Sequence, residues 1–132
     1  MAIQFSVAVR NSMLDAYETA IGASPIMRFF TGAPPANSTA ASTGTLLAEL
    51  AMPADWAAAA ATGQKEKQGA WTGTVIADGT VGHYRIFDST GTVCHEQGTV
   101  DTSGADLNGI NTVLTINQVI AITGKTLNAG NA

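Results

Sequence analysis

From Ala70 onward the chain is written almost wholly in strand formers. "AWTGTVIADGT", "GHYRIFDS", "TVCHEQGTV" and "NTVLTINQVIAITGKTLN" are rich in Thr, Val and Ile, with Gly, Asp and Asn at their breaks. β-branched side chains lose rotamer freedom in a helix and fit a pleated surface. Short runs of this kind, at this spacing, predict a mainly β chain: a β-sandwich, jelly-roll-like. No fixed-period repeat interrupts them, and 132 residues read as one domain, 1–132, whose core needs no covalent staples. The single cysteine excludes an intrachain disulfide framework.

The first half is more mixed. In "AIQFSVAVR", Ile3, Phe5, Val7 and Val9 alternate with Gln4, Ser6, Ala8 and Arg10, which predicts a half-buried strand. A helix starting after Ser6 is the rival reading. In "NSMLDAYETAIG" the period changes: Met13, Leu14, Tyr17 and Ile21 recur at helical spacing, predicting one short N-terminal helix over 12–21. Asn11 or Ser12 would cap its start, and Gly22 stands just past its end. Pro25 disfavours helix at Ser24, so Ile26–Phe30 read as a strand. "GAPPANSTAASTG" is a loop, and "TLLAELAM" a strand with Leu47 turned inward. "PADWAAAAATGQKEKQG" is ambiguous: Pro53 and the alanines suit one or two helical turns ending before Gly63. Trp56 and those alanines, beside the charged "QKEKQ", also make 53–69 a candidate contact loop.

Charged residues are only 12% of the chain, against about 25% in a typical soluble domain. Such a surface suits an assembly, where neighbours cover part of it. The net charge of −4 and six scattered basic residues argue against nucleic acid and against an anionic membrane surface. No apolar run is long enough to span a bilayer, and "MAIQFSVAVR" lacks the basic lead of a secretory signal, so cytoplasmic synthesis is expected.

"GHYRIFDSTGTVCHEQG" holds both histidines, His83 and His95, and Cys94. Asp88 and Gly91 are the residues a type I turn prefers at its first and fourth positions. Counting outward pairs Asp88 with Thr92, Phe87 with Val93, Ile86 with Cys94, Arg85 with His95 and Tyr84 with Glu96. Cys94 and His95 then point to opposite faces, and a nucleophilic thiol needs its base within hydrogen-bond reach. Cys94 reads as a small buried hydrophobe, and His83 and His95 as surface or interface residues. Three ligands split between two faces do not close a zinc site, and no metal or other cofactor is expected.

The carboxylates, at Asp15, Glu18, Glu49, Asp55, Glu66, Asp78, Asp88, Glu96, Asp101 and Asp106, include no evident acid–base pair. "DTSGADLNG" lacks the closing bidentate Glu of a calcium loop and reads as a turn. Trp56 and Trp71 fit core or subunit-interface packing; with Tyr84 they are also the rings a sugar-binding platform would use.

"MLDAYETAIGASPIMRFFTGAPPA", "TGTLLAELAMPADWAAAAATG", "GAWTGT", "GHYRIFDSTGTVCHEQGTV" and the terminal "TLNAGNA", in this order, resemble a family of small proteins from tailed bacteriophages and prophages. Cys94 departs from that pattern, where a polar or β-branched residue is expected. The resemblance implies a non-enzymatic virion structural protein, without catalytic residues to carry over. Its expected role is capsid decoration or cementing, with a collar, head-fibre or tail position as the alternative. The expected partners are the major capsid protein or other virion proteins, and further copies of the chain as a dimer or trimer. Pro34, Pro35, Trp56, Trp71, His83 and His95 are the candidate interface residues.

Overall fold

A computed structural model describes residues 3–104, 107 and 111–129. It is mainly antiparallel β with one N-terminal helix, consistent with a β-sandwich. The helix, α1, is Val7–Ile21, longer than the expected 12–21. Ser6, not Asn11 or Ser12, caps it: its hydroxyl accepts from the Val9 N–H at 3.2 Å. Gly22 closes the other end with φ 87°, donating its N–H to Glu18 O at 2.9 Å. The strand expected over 3–9 is therefore corrected to the rival helix. Its alternating apolar residues have no sheet to face, and Ile3, Val7 and Val9 stay 70%, 48% and 45% exposed.

The strands are β1 (Ile26–Thr31), β2 (Leu46–Ala51), β3 (Gln64–Glu66), β4 (Trp71–Val75), β5 (Gly79–Phe87), β6 (Cys94–Thr99), β7 (Val113–Leu114), β8 (Val119–Ile122) and β9 (Thr126–Asn128). The main sheet runs β6-β5-β1-β2-β4-β8, with β7 pairing the start of β5, and β3-β9 form a small second sheet. This order does not establish the jelly-roll arrangement. One face of the main sheet carries Met27, Phe29, Leu50, Tyr84, Ile86, Ile120 and Ile122, all buried. Together with Ile21, Trp56 and Trp71 they make the core.

No helical turn forms in 53–63. The chain doubles back instead: Ala61 and Gln64 exchange both backbone hydrogen bonds at 2.9 Å around Thr62 (φ 49°) and Gly63 (φ 73°). Two central residues with positive φ are the two-residue hairpin geometry. Pairing of Ala58 N–H with Glu66 O and of Gln68 N–H with Trp56 O, each at 2.9 Å, satisfies the backbone that five alanines could not bury as a helix face.

The hairpin of β5 and β6 turns where expected, with Gly91 at φ 71° and its N–H on Asp88 O at 2.9 Å. Its register differs. Asp88 bonds Val93, Phe87 pairs with Cys94, and a bulge then sets Ile86 against Glu96, Arg85 against Gln97 and Tyr84 against Gly98. The Asp88 carboxylate takes the Thr92 and Val93 N–H groups at 3.0 and 3.3 Å, which widens the loop by one residue, and the bulge adds the second. Cys94 consequently lies beside Arg85 and Phe87, not on the face of Ile86 and Tyr84.

Candidate interaction surface

The expected interface residues do not gather on one surface. Trp56 and Trp71 are each 1% exposed, their rings 6.0 Å apart. The Trp56 indole N–H donates to Gly22 O at 2.8 Å, and that of Trp71 to Trp56 O at 3.1 Å. Both tryptophans are core, which corrects their assignment to an interface. With Tyr84 buried as well, the aromatic faces a sugar platform would need are covered. His83 is also corrected: it is fully buried, stacked on Phe30 at 5.2 Å, with Nδ1 2.9 Å from Gly32 O. A carbonyl only accepts, so the Nδ1–H is the donor in this contact. His95 is exposed. Pro34 and Pro35 are half-buried in the loop between β1 and β2, and Pro35 O accepts from Gln97 Nε2 at 2.7 Å.

Two polar clusters dock α1. Lys65, in the charged part of the expected contact loop 53–69, is 2% exposed, so neither it nor Trp56 offers contact surface, although much of the rest of that segment is exposed. Its Nζ meets Asp15 Oδ1 at 2.8 Å and Glu18 Oε2 at 3.0 Å. Burial works against the ammonium, but the hydrogen bonds it donates to Asp15 and Glu18, with their charges, outweigh it, so the Lys65 pKa is raised. Asp15 is lowered, chiefly by its hydrogen bond to Lys65 and then by the Ala60 N–H. In the second cluster Glu96 accepts from Tyr17 and Tyr84 hydroxyls, each at 2.5 Å, and pairs with Lys125 at 2.9 Å. Burial, then the Glu96 charge, pushes the Tyr17 hydroxyl far above its ordinary value. A sequence signal for the first cluster existed: Asp15 and Glu18 share one side of a helix at i,i+3. Nothing local pointed to Lys65 as their partner, or to Glu96 as the partner of Tyr17.

Most remaining carboxylates serve the fold. Glu49 pairs with Arg28 at 2.8 Å, Asp55 accepts from Gln68, and Asp78 accepts the Ile116 N–H at 2.7 Å. Asp101 caps Thr102, whereas Asp106 and much of the "DTSGADLNG" turn lie outside the described residues. Cys94 is half-buried, its thiol on Glu96 O at 3.3 Å, and burial pushes its pKa up, away from thiolate chemistry. Among the described residues no three of His, Cys, Asp and Glu gather as a metal set, and no helix is long and apolar enough to cross a membrane.

The sequence reasoning missed the outward side of α1. Leu14, Tyr17 and Ile21 turn inward, and Ala8, Val9, Ser12, Met13 and Ala16 line a shallow, uncharged hollow on the opposite side. Met13 is 51% exposed, and Ile3 and Val7, before and at the helix start, are 70% and 48% exposed. A second apolar group sits on two adjoining turns. Ile76 and Ile116 are 54% and 50% exposed, joined by Val113 at 61% and Val119 at 72%. The turns are held together by the Asn117 N–H on Val75 O at 2.8 Å and by the Asp78–Ile116 bond. Each group offers exposed apolar contact area, the second beside the exposed Asp78 carboxylate.

No family model matches this chain, and comparison with curated proteins and with solved structures finds no match.

Proposed function

We propose that the chain is a non-enzymatic structural protein of a bacteriophage virion, acting as a capsid decoration or cement protein that bridges capsid subunits. The observation that carries this reading is the pair of exposed apolar groups, on α1 and on the turns 76–78 and 115–118, in a chain of low charge. Five exposed side chains, Ile3, Phe5, Val7, Val9 and Met13, would each gain about 1 kcal/mol on burial. The sum, about 5 kcal/mol, is at the low end of the ordering cost of association, roughly 4–15 kcal/mol. One such contact holds weakly in dilute solution. Many copies, each touching two neighbours on a formed shell, hold by avidity and stabilise the assembled state. The resemblance to small phage and prophage proteins supports the same reading.

The test is averaged cryo-electron microscopy of particles from the source phage, with gold-labelled antibody to the chain. Regular density over the shell is the expected result, and its copy number gives the oligomer. Density confined to the neck or tail would move the protein to a collar, head-fibre or tail position. Absence from particles would overturn the structural role altogether.

A further inference from the structure

Arg85 is the cation this fold leaves without a counter-charge at depth. It is 1% exposed, and among the described residues no carboxylate stands within ion-pair distance of it. Its Nη2 donates to Ser38 O and Ala40 O at 2.8 and 2.9 Å, and Nη1 donates to Ser42 Oγ at 2.7 Å. Its Nε is buried with no oxygen or nitrogen partner, and the Cys94 thiol lies close enough to the guanidinium for the two to interact. Directly opposite on β1 stands a like charge, Arg28, whose guanidinium lies 4.6 Å from the Phe87 ring; that of Arg85 lies 5.5 Å from the same ring. Glu49 neutralises Arg28. The Asp88 carboxylate is engaged by the Thr92 and Val93 amides of the hairpin turn. This corner of an otherwise acidic protein therefore holds a buried positive charge that neutral oxygens solvate and no carboxylate neutralises.

An open cleft of about 370 Å³ lies over that charge. Its walls are Ser38, Thr39, Ala40, Ala41, Ser42, Phe87, Thr92, Val93 and Cys94, and none of them is a carboxylate. Ser42 Oγ accepts from Arg85 and so keeps its own proton to donate. A hydroxyl polarised by a guanidinium is a stronger donor than an isolated one. We propose that this cleft binds a compact oxyanion of phosphate or carboxylate type. The Ser42 hydroxyl is a direct donor, and the buried Arg85 supplies the field from below. The site is independent of where the protein sits in a particle.

The experiment is a titration of the whole chain with inorganic phosphate, and separately acetate, at constant ionic strength set by chloride. Amide signals of residues 38–42 and 92–94 are followed by NMR, and the melting temperature by circular dichroism. Saturable shifts confined to those residues, with a rise in melting temperature, are expected. Ser42→Ala should weaken binding by about tenfold. Ser42→Asp, which places a carboxylate beside the guanidinium, should abolish binding and melt no lower than the parent chain. Neither variant removes Arg85, whose loss would free the 38–42 segment and confuse the result. Absence of saturable shifts, shifts spread over the surface, or an unchanged response in Ser42→Asp would overturn the proposal.

Discussion

The Lys65 cluster allows a test in which the two ends of one ion pair give unequal answers. The Lys65 side chain is 1% exposed, while those of Asp15 and Glu18 are 51% and 26% exposed. Replacing both carboxylates, as Asp15→Asn with Glu18→Gln, keeps their shape and keeps an acceptor for the Ala60 N–H, which Asp15 takes at 3.0 Å. It strands an ammonium inside the protein. Stranding one member of a buried pair costs about 3–5 kcal/mol, and the lower end applies because the partners reach water. Replacing the cation, as Lys65→Met, fills the same volume and leaves two carboxylates that can rehydrate, at a cost of about 1 kcal/mol. At roughly 4 °C per kcal/mol for a chain of this size, the losses are about 12 °C and 4 °C. Urea unfolding followed by circular dichroism, with equal slopes, measures both. The sign with pH follows from the same shifts. Lys65 is raised from 10.5, so its contribution is complete below that pH and fades as pH climbs through the folded value. Asp15 is lowered from 3.8, so its contribution is complete above that pH and fades on acidification through the folded value. A Lys65→Met variant less stable than the double variant would refute the reasoning, because packing of the lysine stem would then outweigh its buried charge.

Trp56→Ala should cost about 3–5 kcal/mol by urea unfolding, since it opens a cavity between Tyr17 and Trp71 and orphans Gly22 O. Asp88→Asn should flatten the acid limb of the stability curve. Asp88 is lowered from 3.8, mainly by the Thr92 N–H, so its share is present above that pH and lost as pH falls through the folded value; thermal melts across acidic pH check this. Met13→Glu, on an exposed helix position, should change stability by less than about 0.5 kcal/mol yet abolish incorporation into particles, read by quantitative blotting of purified virions. Retained incorporation there would remove α1 from the contact surface.

The sequence by itself determined what local chemistry decides. β-branched runs after Ala70 form strands, and helical spacing from Met13 to Ile21 with Gly22 behind it forms and ends a helix. Asp88 and Gly91 make the turn between β5 and β6, because their preferences operate within four residues. Only the tertiary structure decided what depends on distant partners. Ser6 wins the cap because no strand waits to pair with residues 3–9. Chain spacing could not reveal the bulge that shifts the hairpin register and sends Cys94 to the Arg85 face. Lys65 is buried because α1 brings two carboxylates to it from some fifty residues away. His83 read as a surface or interface residue, and Trp56 and Trp71 as core or subunit interface; all three are interior because chain folds over both faces of β5 and over both tryptophans. The cover on each side comes from chain far away in sequence. Residue type and spacing state which face a side chain shares, but burial is set by what folds over that face.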